Sequence, residues 1–445
     1  MSRLFGTDGL RGVANQDLTP DLVLTLGRAA AKSFGAPESR PRFLIATDTR
    51  ISAHMLESAL AAGLLSAGAD VMRCGVLPTP AVAFLVGNLE AGAGAVISGS
   101  HNPVPDNGIK FFGPDGFKLM DEKEDEIESL MSGEFPRPVG EAVGREHFLE
   151  EAAEDRYVEH CLQALEGRSL SGLKVVVDCA NGAASITTPD ALTRAGAEVI
   201  AINVAPDGVN INVDCGSTHP EVVARIVKEV GADVGLAHDG DADRVIAVDE
   251  TGEVVDGDAI IAALAVFLKE RGRLPGDLVV STVMANLGFR KAMQSAGISV
   301  IETQVGDRYV LEAMLAEGAT LGGEQSGHVI LLDHSTTGDG LITGLKILDL
   351  MSTSGRKLSE IASVVERFPQ VLLNIKVNNK AGFDGSKGIA DAVSRAEGTL
   401  GTNGRVLVRP SGTEQLVRVM VEANDQQVAD DVARQIADVV ERELA

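Results

Sequence analysis

The 445-residue sequence contains no tryptophan and two tyrosines. Both residue types combine a broad apolar ring with a polar edge, so their scarcity disfavours a carbohydrate site built from stacked rings. A sugar would have to be held through hydrogen bonds and phosphate contacts. The sequence also lacks an apolar run close to the roughly 20 residues that cross a bilayer, and residues 1–6 do not resemble a signal peptide.

Positive charge is scarce as well. There are 39 Lys and Arg residues against 64 Asp and Glu residues, which gives a formal net charge of −25. Nucleic acids and anionic membranes attract clustered Lys and Arg, so neither is an expected partner. The four cysteines, Cys74, Cys161, Cys179 and Cys215, form no CxxC motif. We expect buried free thiols in a reducing compartment, which indicates the cytoplasm.

Short apolar strands alternate with helical segments along most of the chain, a pattern typical of α/β proteins. The length suggests about three or four domains. The acidic stretch 121–166 is predicted to be helical and to connect the first two domains. We predict three similar mixed-sheet α/β domains in series and a smaller C-terminal α+β domain, arranged around a central cleft. The predicted boundaries are 1–150, 151–255, 256–368 and 369–445.

A serine-containing segment, 98–103 (SGSHNP), follows an apolar strand that ends at Ile97. The carboxyl ends of parallel strands are where α/β proteins place ligand sites. The flanking glycine and proline would fix the backbone, although an ordinary polar turn has a similar composition. Nothing local shows how a serine would be activated. The residues alone leave Ser98 and Ser100 as equal candidates, and His101 as either a base or a residue that orients the loop.

Three aspartates alternate in the segment 238–244 (HDGDADR). Carboxylates this close repel one another unless a cation or water separates them, and hard oxygen ligands suit Mg²⁺. The spacing partly matches a calcium-binding EF-hand loop, but Arg244 stands where that loop requires glycine, and the following residues read as a strand. We therefore predict a Mg²⁺ site at Asp239, Asp241 and Asp243, with a solvated acidic turn as the alternative.

Two further glycine-containing segments offer groups that can bind a phosphorylated sugar. In 322–328 (GGEQSGH), Glu324 and Ser326 can hydrogen-bond to sugar hydroxyls. In 409–414 (RPSGTE), followed by Arg418, arginine forks match a phosphate, and small residues leave backbone amides accessible. A glycine-rich hairpin and a turn between strands are the respective alternatives.

A further glycine-hinged loop and its candidate partner segment each contribute a cation. The segment 5–12 (FGTDGLRG) contributes Arg11, and the segment 107–110 (NGIK) contributes Lys110. Lys110 could transfer a proton if its pKa were lowered. Either segment is a weak indication when taken alone.

In their order along the chain, these segments resemble those of the α-D-phosphohexomutase superfamily. The resemblance spans nearly the whole chain. Segments 5–12, 305–310 (VGDRYV) and 323–328 (GEQSGH) are most similar to the bacterial phosphoglucosamine mutase family. Phosphomannomutases and phosphoglucomutases more often have methionine where Gln325 stands. One departure is Gly99, where relatives usually have alanine, and we expect at most a looser loop there.

The resemblance implies that Ser100 is a phosphoserine, because the serine before His-Asn-Pro matches the phosphorylated position. It implies acid–base roles for Arg11 and Lys110, with Lys110 as the first candidate for the base and His101 grouped with them. One Mg²⁺ per chain is expected on Ser100, Asp239, Asp241 and Asp243. Substrate contacts are expected from Arg244, Glu324, Ser326, Arg409, Ser411, Gly412, Thr413 and Arg418.

The implied reaction interconverts glucosamine 6-phosphate and glucosamine 1-phosphate, with a bisphosphorylated sugar as primer or intermediate. Its product would supply UDP-N-acetylglucosamine and cell-wall precursors. The implied partner is a phosphosugar, with no nucleic acid and no membrane, and the chain would be a monomer or a homodimer. The alternatives are a phosphomannomutase or phosphoglucomutase, a metal-dependent phosphohydrolase, and a silent phosphosugar-binding protein, which the intact set of catalytic residues disfavours.

Overall fold

The computed structural model describes residues 3–6, 8–35, 40–135, 137–411 and 415–445. The chain forms two compact units, of which the first comprises Met1–Val283 and Ile298–Ser363 and the second comprises Met284–Gly297 and Val364–Ala445. Within the described residues, the first unit has three mixed α/β sheets and the second has one three-stranded sheet. The predicted fold class is confirmed in these terms. No described helix combines the length and apolar character that crossing a bilayer requires.

The first sheet is mixed. Its strands are Leu10–Val13 (β1), Arg42–Thr47 (β2), Asp70–Val76 (β3), Ala93–Ile97 (β4), Asp106–Phe112 (β5) and Glu146–Phe148 (β6), and the helices of this part are Pro20–Phe34 (α1), Ala53–Ser66 (α2), Thr79–Asn88 (α3), Asp121–Met131 (α4) and Glu150–Gln163 (α5). The strand order is β1-β5-β4-β2-β3-β6. Thr19 caps the start of α1, because its side chain accepts a hydrogen bond from Leu22 N. The apolar face of α1 buries Val23 and Leu26 in one core with Phe43 of β2.

The second sheet presents a tight turn at its carboxyl edge. Its elements are Lys174–Asp178 (β7), Ala184–Arg194 (α6), Glu198–Ile202 (β8), Pro220–Val230 (α7), Val234–His238 (β9), Val245–Asp249 (β10) and Val254–Val255 (β11). The order is β11-β10-β9-β7-β8, with β7, β8 and β9 parallel. β10 runs antiparallel to β9, with Val245 opposite His238. The turn between these strands carries the three aspartates.

The third sheet has the order β13-β12-β14-β15. The elements of this part are Gly257–Glu270 (α8), Leu278–Thr282 (β12), Leu287–Ser295 (α9), Ser299–Thr303 (β13), Asp307–Glu317 (α10), Leu321–Gly323 (β14), Val329–Leu331 (β15), Gly340–Ser354 (α11) and Leu358–Ala362 (α12). β12, β13 and β14 are parallel, and β15 closes a hairpin with β14. That hairpin turn holds Glu324 and Ser326.

The second unit has an antiparallel sheet with two long helices. Its further elements are Gln370–Lys376 (β16), Lys387–Leu400 (α13), Gly404–Pro410 (β17), Leu416–Ala423 (β18) and Gln426–Leu444 (α14), in the strand order β16-β18-β17. Val421 of β18 and Ile436 of α14 lie in its core. α9 belongs to this unit, because Leu287 N donates to the buried Glu422 at 3.0 Å, and Glu422 also pairs with Arg405.

Two segments differ from the sequence interpretation. The end of the segment 5–12, interpreted as a loop, belongs to β1, which pairs antiparallel with β5 and has Leu10 opposite Ile109. The glycines and polar residues of this segment had masked the strand pattern. The stretch 121–166 is not a continuous helix, since β6 lies within it and pairs with β3. Every side chain of β6 is exposed, so no apolar pattern marked it. The four cysteines are buried free thiols, as expected.

Candidate active site

The serine loop, residues 98–103, begins where β4 ends, at the carboxyl edge of the first sheet. Ser100 is buried and adopts a left-handed conformation with a φ of 48°, which residues other than glycine adopt rarely. The Ser98 hydroxyl donates to Asp48 Oδ2 at 2.6 Å and accepts from Ser100 N at 2.9 Å. Ser98 therefore takes part in the internal structure of the loop, which leaves Ser100 as the better nucleophile candidate.

The Ser100 hydroxyl faces the aspartate loop. Its Oγ donates to Asp239 Oδ2 at 2.8 Å and lies 3.3 Å from His101 Nδ1. One oxygen from each of Asp239, Asp241 and Asp243 lies within 4.8 Å of the others, and all three residues are buried. Burial and the charges of Asp243 and Asp241 raise the pKa of Asp239 well above its ordinary value. A cation placed among these carboxylates would relieve that repulsion.

Two carboxylate oxygens in this cluster lack hydrogen bonds. Asp241 Oδ1 and Asp243 Oδ1 are buried and accept none from any residue that the structure describes. Buried polar atoms are nearly always paired, and oxygens of this kind are the ligands that Mg²⁺ prefers. The donor set of three carboxylates and the Ser100 hydroxyl therefore fits a divalent cation.

Lys110 of β5 is buried against the same carboxylates. Its Nζ lies 3.1 Å from Asp8 Oδ2, 3.1 Å from Asp241 Oδ2 and 3.5 Å from Asp243 Oδ2. Burial lowers the pKa of Lys110, but the charges of Asp241, Asp8 and Asp243 outweigh burial and the net direction is upwards. A proton acceptor would need the opposite shift. In this arrangement Lys110 is a fixed cation.

Sequence reasoning missed a row of charged and titratable side chains beside this cluster. Lys118 Nζ lies 2.7 Å from Asp8 Oδ1 and also pairs with Asp307, the first residue of α10. The buried His328 follows, with Nε2 3.8 Å from Asp307 Oδ2. Asp8, Asp307 and His328 belong to the segments that carry the family resemblance, so the sequence held a signal for them. Nothing in the sequence pointed to Lys118.

The remaining predicted groups of the first unit lie near the same point. Arg11 of β1 pairs with Asp8, and Arg244 Nε is 3.7 Å from Asp243 Oδ1. Burial, together with the charges of Arg244 and Arg11, lowers the pKa of His101 to about 4. The imidazole of His101 is therefore neutral at pH 7.

A cavity of about 470 Å³ opens beside these side chains. This volume suits a small molecule. A larger cavity of about 680 Å³ shares Asp307 and His328 but has a mainly apolar wall that includes Phe117 and Leu311, so it suits a charged sugar less well. The charged and titratable side chains that line the smaller cavity are Arg3, Asp8, Arg11, His101, Asp243, Arg244, Asp307, Glu324 and His328.

The hairpin turn after β14 reaches the smaller cavity. Glu324 lines it, and Glu324 Oε1 accepts a hydrogen bond from Gly306 N at 3.1 Å. Ser326 is exposed on the same turn and does not line the cavity. The turn is tied to the aspartate hairpin, because Val245 N donates to Gly327 O at 3.1 Å.

The predicted phosphate-binding residues lie in the second unit. Arg409 of β17 and Arg418 of β18 stand directly opposite each other. Burial and the charge of Arg418 lower the pKa of Arg409, so an anion between the two guanidinium groups would be stabilised. The Ser411 carbonyl accepts a hydrogen bond from Lys380 Nζ at 2.9 Å, which adds a cation that sequence reasoning missed. Gly412 and Thr413 lie outside the described residues.

Four family models match successive parts of the chain. They are described as phosphoglucomutase/phosphomannomutase alpha/beta/alpha domain I (residues 2–137), domain II (155–252), domain III (256–368) and C-terminal domain (372–439). Together they cover most of the sequence.

Curated relatives match over full length. The chain is 54% identical to a phosphoglucosamine mutase of Carboxydothermus hydrogenoformans, over 99% of this chain and 100% of the relative. It is 55% identical to a phosphoglucosamine mutase of Saccharopolyspora erythraea, over 99% of each chain.

Solved structures share the fold at lower identity. A phosphoglucomutase/phosphomannomutase family protein of Burkholderia thailandensis matches with a TM-score of 0.82 and 24% identity, over 99% of this chain and 97% of that one. The N-acetylphosphoglucosamine mutase of Aspergillus fumigatus, solved in complex with GlcNAc-6P and magnesium, matches with a TM-score of 0.71 and 18% identity, over 99% and 96%.

Proposed function

The chain belongs to the phosphoglucomutase/phosphomannomutase family, and we propose that it interconverts glucosamine 6-phosphate and glucosamine 1-phosphate. The choice of sugar is supported by the relatives named phosphoglucosamine mutase, which are more than 50% identical over nearly the whole chain. The choice of chemistry rests on one observation above all. The buried Ser100 hydroxyl lies 2.8 Å from Asp239, at the edge of a carboxylate cluster that fits a divalent cation.

In the proposed reaction, Ser100 carries a phosphoryl group between turnovers. This group passes from Ser100 Oγ to the free 1-hydroxyl of glucosamine 6-phosphate and yields a bisphosphorylated sugar. The bisphosphorylated sugar then reorients within the site, and its phosphoryl group on O6 is transferred to Ser100 Oγ. The product would supply the synthesis of UDP-N-acetylglucosamine and cell-wall precursors.

Asp239, Asp241 and Asp243 would hold Mg²⁺ together with Ser100 or its phosphate. The bound ion would supply charge neutralisation for the phosphoryl oxygens. Lys110 keeps two of these carboxylates in place through contacts of 3.1 and 3.5 Å. Thr79 also donates to Asp241 Oδ2 at 2.7 Å. Such outer contacts orient metal ligands.

For proton transfer, we favour His101 over Lys110. In each transfer the attacking hydroxyl loses a proton and the departing oxygen takes one up. His101 is neutral at pH 7 and lies 3.3 Å from Ser100 Oγ, so it would relay this proton between the sugar hydroxyl and Ser100 Oγ. The raised pKa of Lys110 supports a role as a fixed cation. Arg11 lines the same cavity and would bind the phosphoryl oxygens of the substrate.

We propose sugar contacts and an anion site for each unit, taken by itself. Glu324 and Arg244 line the cavity of the first unit, and Ser326 is carried on the same turn as Glu324. In the second unit, the facing Arg409 and Arg418 form an anion site, to which Ser411, Gly412 and Thr413 would contribute by the family resemblance. A carboxylate suits the sugar hydroxyls, whereas arginine forks suit phosphate oxygens.

The test is a coupled assay of Mg²⁺-dependent conversion of glucosamine 6-phosphate, primed with a bisphosphorylated sugar and monitored for free phosphate. The parent protein should form glucosamine 1-phosphate with little free phosphate. Ser100→Ala should lose at least about 10⁴-fold in kcat, as expected when a nucleophile is removed. Ser98→Ala is the control for the site of phosphorylation, because it removes the other hydroxyl of the same loop. This control should still become phosphorylated, as judged by intact mass.

Three other outcomes would change the proposal. Release of phosphate without isomerisation would indicate a phosphohydrolase. Good turnover of glucose or mannose phosphates without turnover of the amino sugar would keep the chemistry and refute the choice of substrate. Equal activity of Ser100→Ala and the parent would refute Ser100 as the nucleophile.

A further inference from the structure

Behind the serine loop lies a fully buried ion pair formed by Asp48 and Arg50. Each residue is 1% exposed, and Arg50 is the largest fully buried side chain of the described chain. Arg50 Nε lies 2.9 Å from Asp48 Oδ2. Removing two charges from water is often not repaid by their mutual attraction. A buried pair of this kind therefore calls for a purpose beyond fold stability.

The guanidinium of Arg50 is directed at the backbone of the serine loop. Its Nη2 donates to Ser100 O at 2.9 Å and to Asn102 O at 2.7 Å, and its Nη1 donates to Pro103 O at 2.6 Å. Three carbonyl groups of one six-residue loop thus share one side chain. The planar fork of arginine can make these bonds together, whereas the single ammonium group of lysine cannot reproduce their geometry.

The carboxylate of Asp48 holds the first half of the same loop. Asp48 Oδ2 accepts hydrogen bonds from Ser98 Oγ at 2.6 Å and from Gly99 N at 3.2 Å, and Asp48 Oδ1 accepts one from Arg50 N at 2.9 Å. The ion pair therefore fastens the loop on both sides of Ser100. Asp48 and Arg50 stand in the segment that follows β2. Their hydrogen bonds therefore connect the serine loop to the sheet.

The residue between these attachments is the one in the disfavoured conformation. Ser100 has a φ of 48°, and its carbonyl is held by Arg50 and also by Asn212 Nδ2 at 2.8 Å. A residue persists in such a conformation when its surroundings determine it strongly. With its backbone held in this way, the Ser100 side chain is directed at Asp239.

Gly99 makes room for the guanidinium. A Cβ atom at this position would lie 2.8 Å from both Cζ and Nε of Arg50, which is closer than such atoms normally approach. The expectation that glycine here leaves a looser loop is therefore not supported by the geometry. The space beside Gly99 is filled by a side chain that binds the loop.

We propose that Arg50, oriented by Asp48, is a positioning residue that fixes Ser100 in the left-handed conformation from which its Oγ gives and receives the phosphoryl group. This inference rests on the proposed mutase function. Arg50 does not line the substrate cavity and acts through Ser100. Its loss should therefore lower kcat and leave the KM for the sugar phosphate nearly unchanged.

The experiment compares the parent with Arg50→Lys and Arg42→Lys. Arg42 is the matched control, because it is the first residue of the same strand, β2, and also donates to a backbone carbonyl. Its Nη2 donates to Glu90 O at 2.6 Å. Arg50→Lys should lower kcat by about 100-fold, the order of effect that a misplacement near 1 Å produces, with KM within about threefold. Arg42→Lys should change neither constant by more than about twofold.

Hydrogen exchange gives a readout that does not depend on activity. In unphosphorylated Arg50→Lys, the amides of residues 99–102 should exchange at least about tenfold faster, because their backbone is no longer held. If the parent proves inactive, the proposed function fails, and exchange alone decides whether Arg50 positions the loop. Unchanged exchange in these residues, or a kcat equal to that of the parent, would overturn the proposal.

Gly99→Ala provides a second variant if Arg50→Lys fails to fold. Its methyl group would press on the guanidinium without removing any charge, so we expect kcat to fall by about three- to tenfold. Where both variants fold, the effect of Gly99→Ala should be smaller in the Arg50→Lys background, because the group it displaces is gone. Purely additive effects, or a Gly99→Ala protein with the kcat and exchange of the parent, would count against the proposal.

Discussion

Replacing Lys110 with methionine tests whether the aspartate cluster depends on a fixed internal cation. Methionine keeps most of the length of the side chain and removes its charge. Lys110 Nζ lies 3.1 to 3.5 Å from three carboxylates, and each such contact is worth about 5 kcal/mol at an effective dielectric constant of 20. Desolvation offsets much of this attraction. Because removal of one partner leaves buried charge uncompensated, the expected loss in unfolding free energy is about 3–5 kcal/mol.

The measurement is urea-induced unfolding followed by circular dichroism, since the chain has no tryptophan. It is made once in a chelator and once in saturating Mg²⁺. The difference between the parent and Lys110→Met should shrink to below about 2 kcal/mol in Mg²⁺, because a bound dication supplies the missing charge. Lys123→Met is the control. Lys123 pairs with Glu126 at 3.1 Å near the surface, and its loss should cost less than about 1 kcal/mol.

Two results would refute this reasoning. If Lys110→Met were as stable as the parent in the chelator, the carboxylates would not depend on the lysine. If its instability were the same with and without Mg²⁺, the lysine and the metal would not act on a common set of charges.

Two further predictions concern the surroundings of the site. Thr79→Val removes the hydroxyl that donates to Asp241 at 2.7 Å, and it should weaken Mg²⁺ binding about tenfold in a calorimetric titration. Asp339→Asn tests a buried carboxyl that accepts a hydrogen bond from Tyr157 Oη and whose pKa burial raises to about 7. This shift stabilises the parent below about pH 4, and the stabilisation is lost as the pH rises through about 7. The variant should therefore gain about 4 kcal/mol relative to the parent from pH 4 to pH 8, by urea denaturation.

Both predictions have matched controls. Thr193→Val removes a hydroxyl from an exposed residue of α6 and should leave Mg²⁺ binding unchanged. An unaltered Mg²⁺ affinity in Thr79→Val would show that Asp241 is oriented without Thr79. Asp425→Asn changes an exposed helix-capping carboxylate. If Asp339→Asn and the parent showed parallel stability profiles over this pH range, Asp339 would not be the buried group that titrates.

The strands and helices that have a clear local pattern of apolar residues could be predicted from the sequence. Apolar runs such as Ala93–Ile97 became buried strands of the first sheet, and the stripe through Leu56, Leu60 and Leu64 became the buried face of α2. The strand Glu146–Phe148 could not be predicted, because its side chains are all exposed and its pairing with β3 is a tertiary effect. The same limit applies to β1, whose partner lies nearly 100 residues away in the sequence.

The same distinction between local pattern and tertiary contact applies to the residues of the candidate site. The three aspartates stand in a short segment whose composition indicates their chemistry, whereas Ser100 was preferred over Ser98 only through the family resemblance. Lys118 and Arg50 have no such context, because their roles depend on contacts with Asp307 and with the serine loop across long stretches of chain. The direction in which the pKa of Lys110 shifts could not be predicted from the sequence either, since it depends on which carboxylates surround the ammonium group.

Several cations at the candidate site of this chain, which has a net charge of −25, are paired with carboxylates. Arg11 pairs with Asp8, Lys118 with Asp8 and Asp307, and Arg244 with Asp243. Each cation is thereby held in place and largely neutralised. A site with free cations would bind a bisphosphorylated sugar tightly in either orientation and would release it slowly. Paired cations would bind the phosphate oxygens more weakly, which would suit the proposed reaction, in which a bisphosphorylated sugar must reorient before the second transfer.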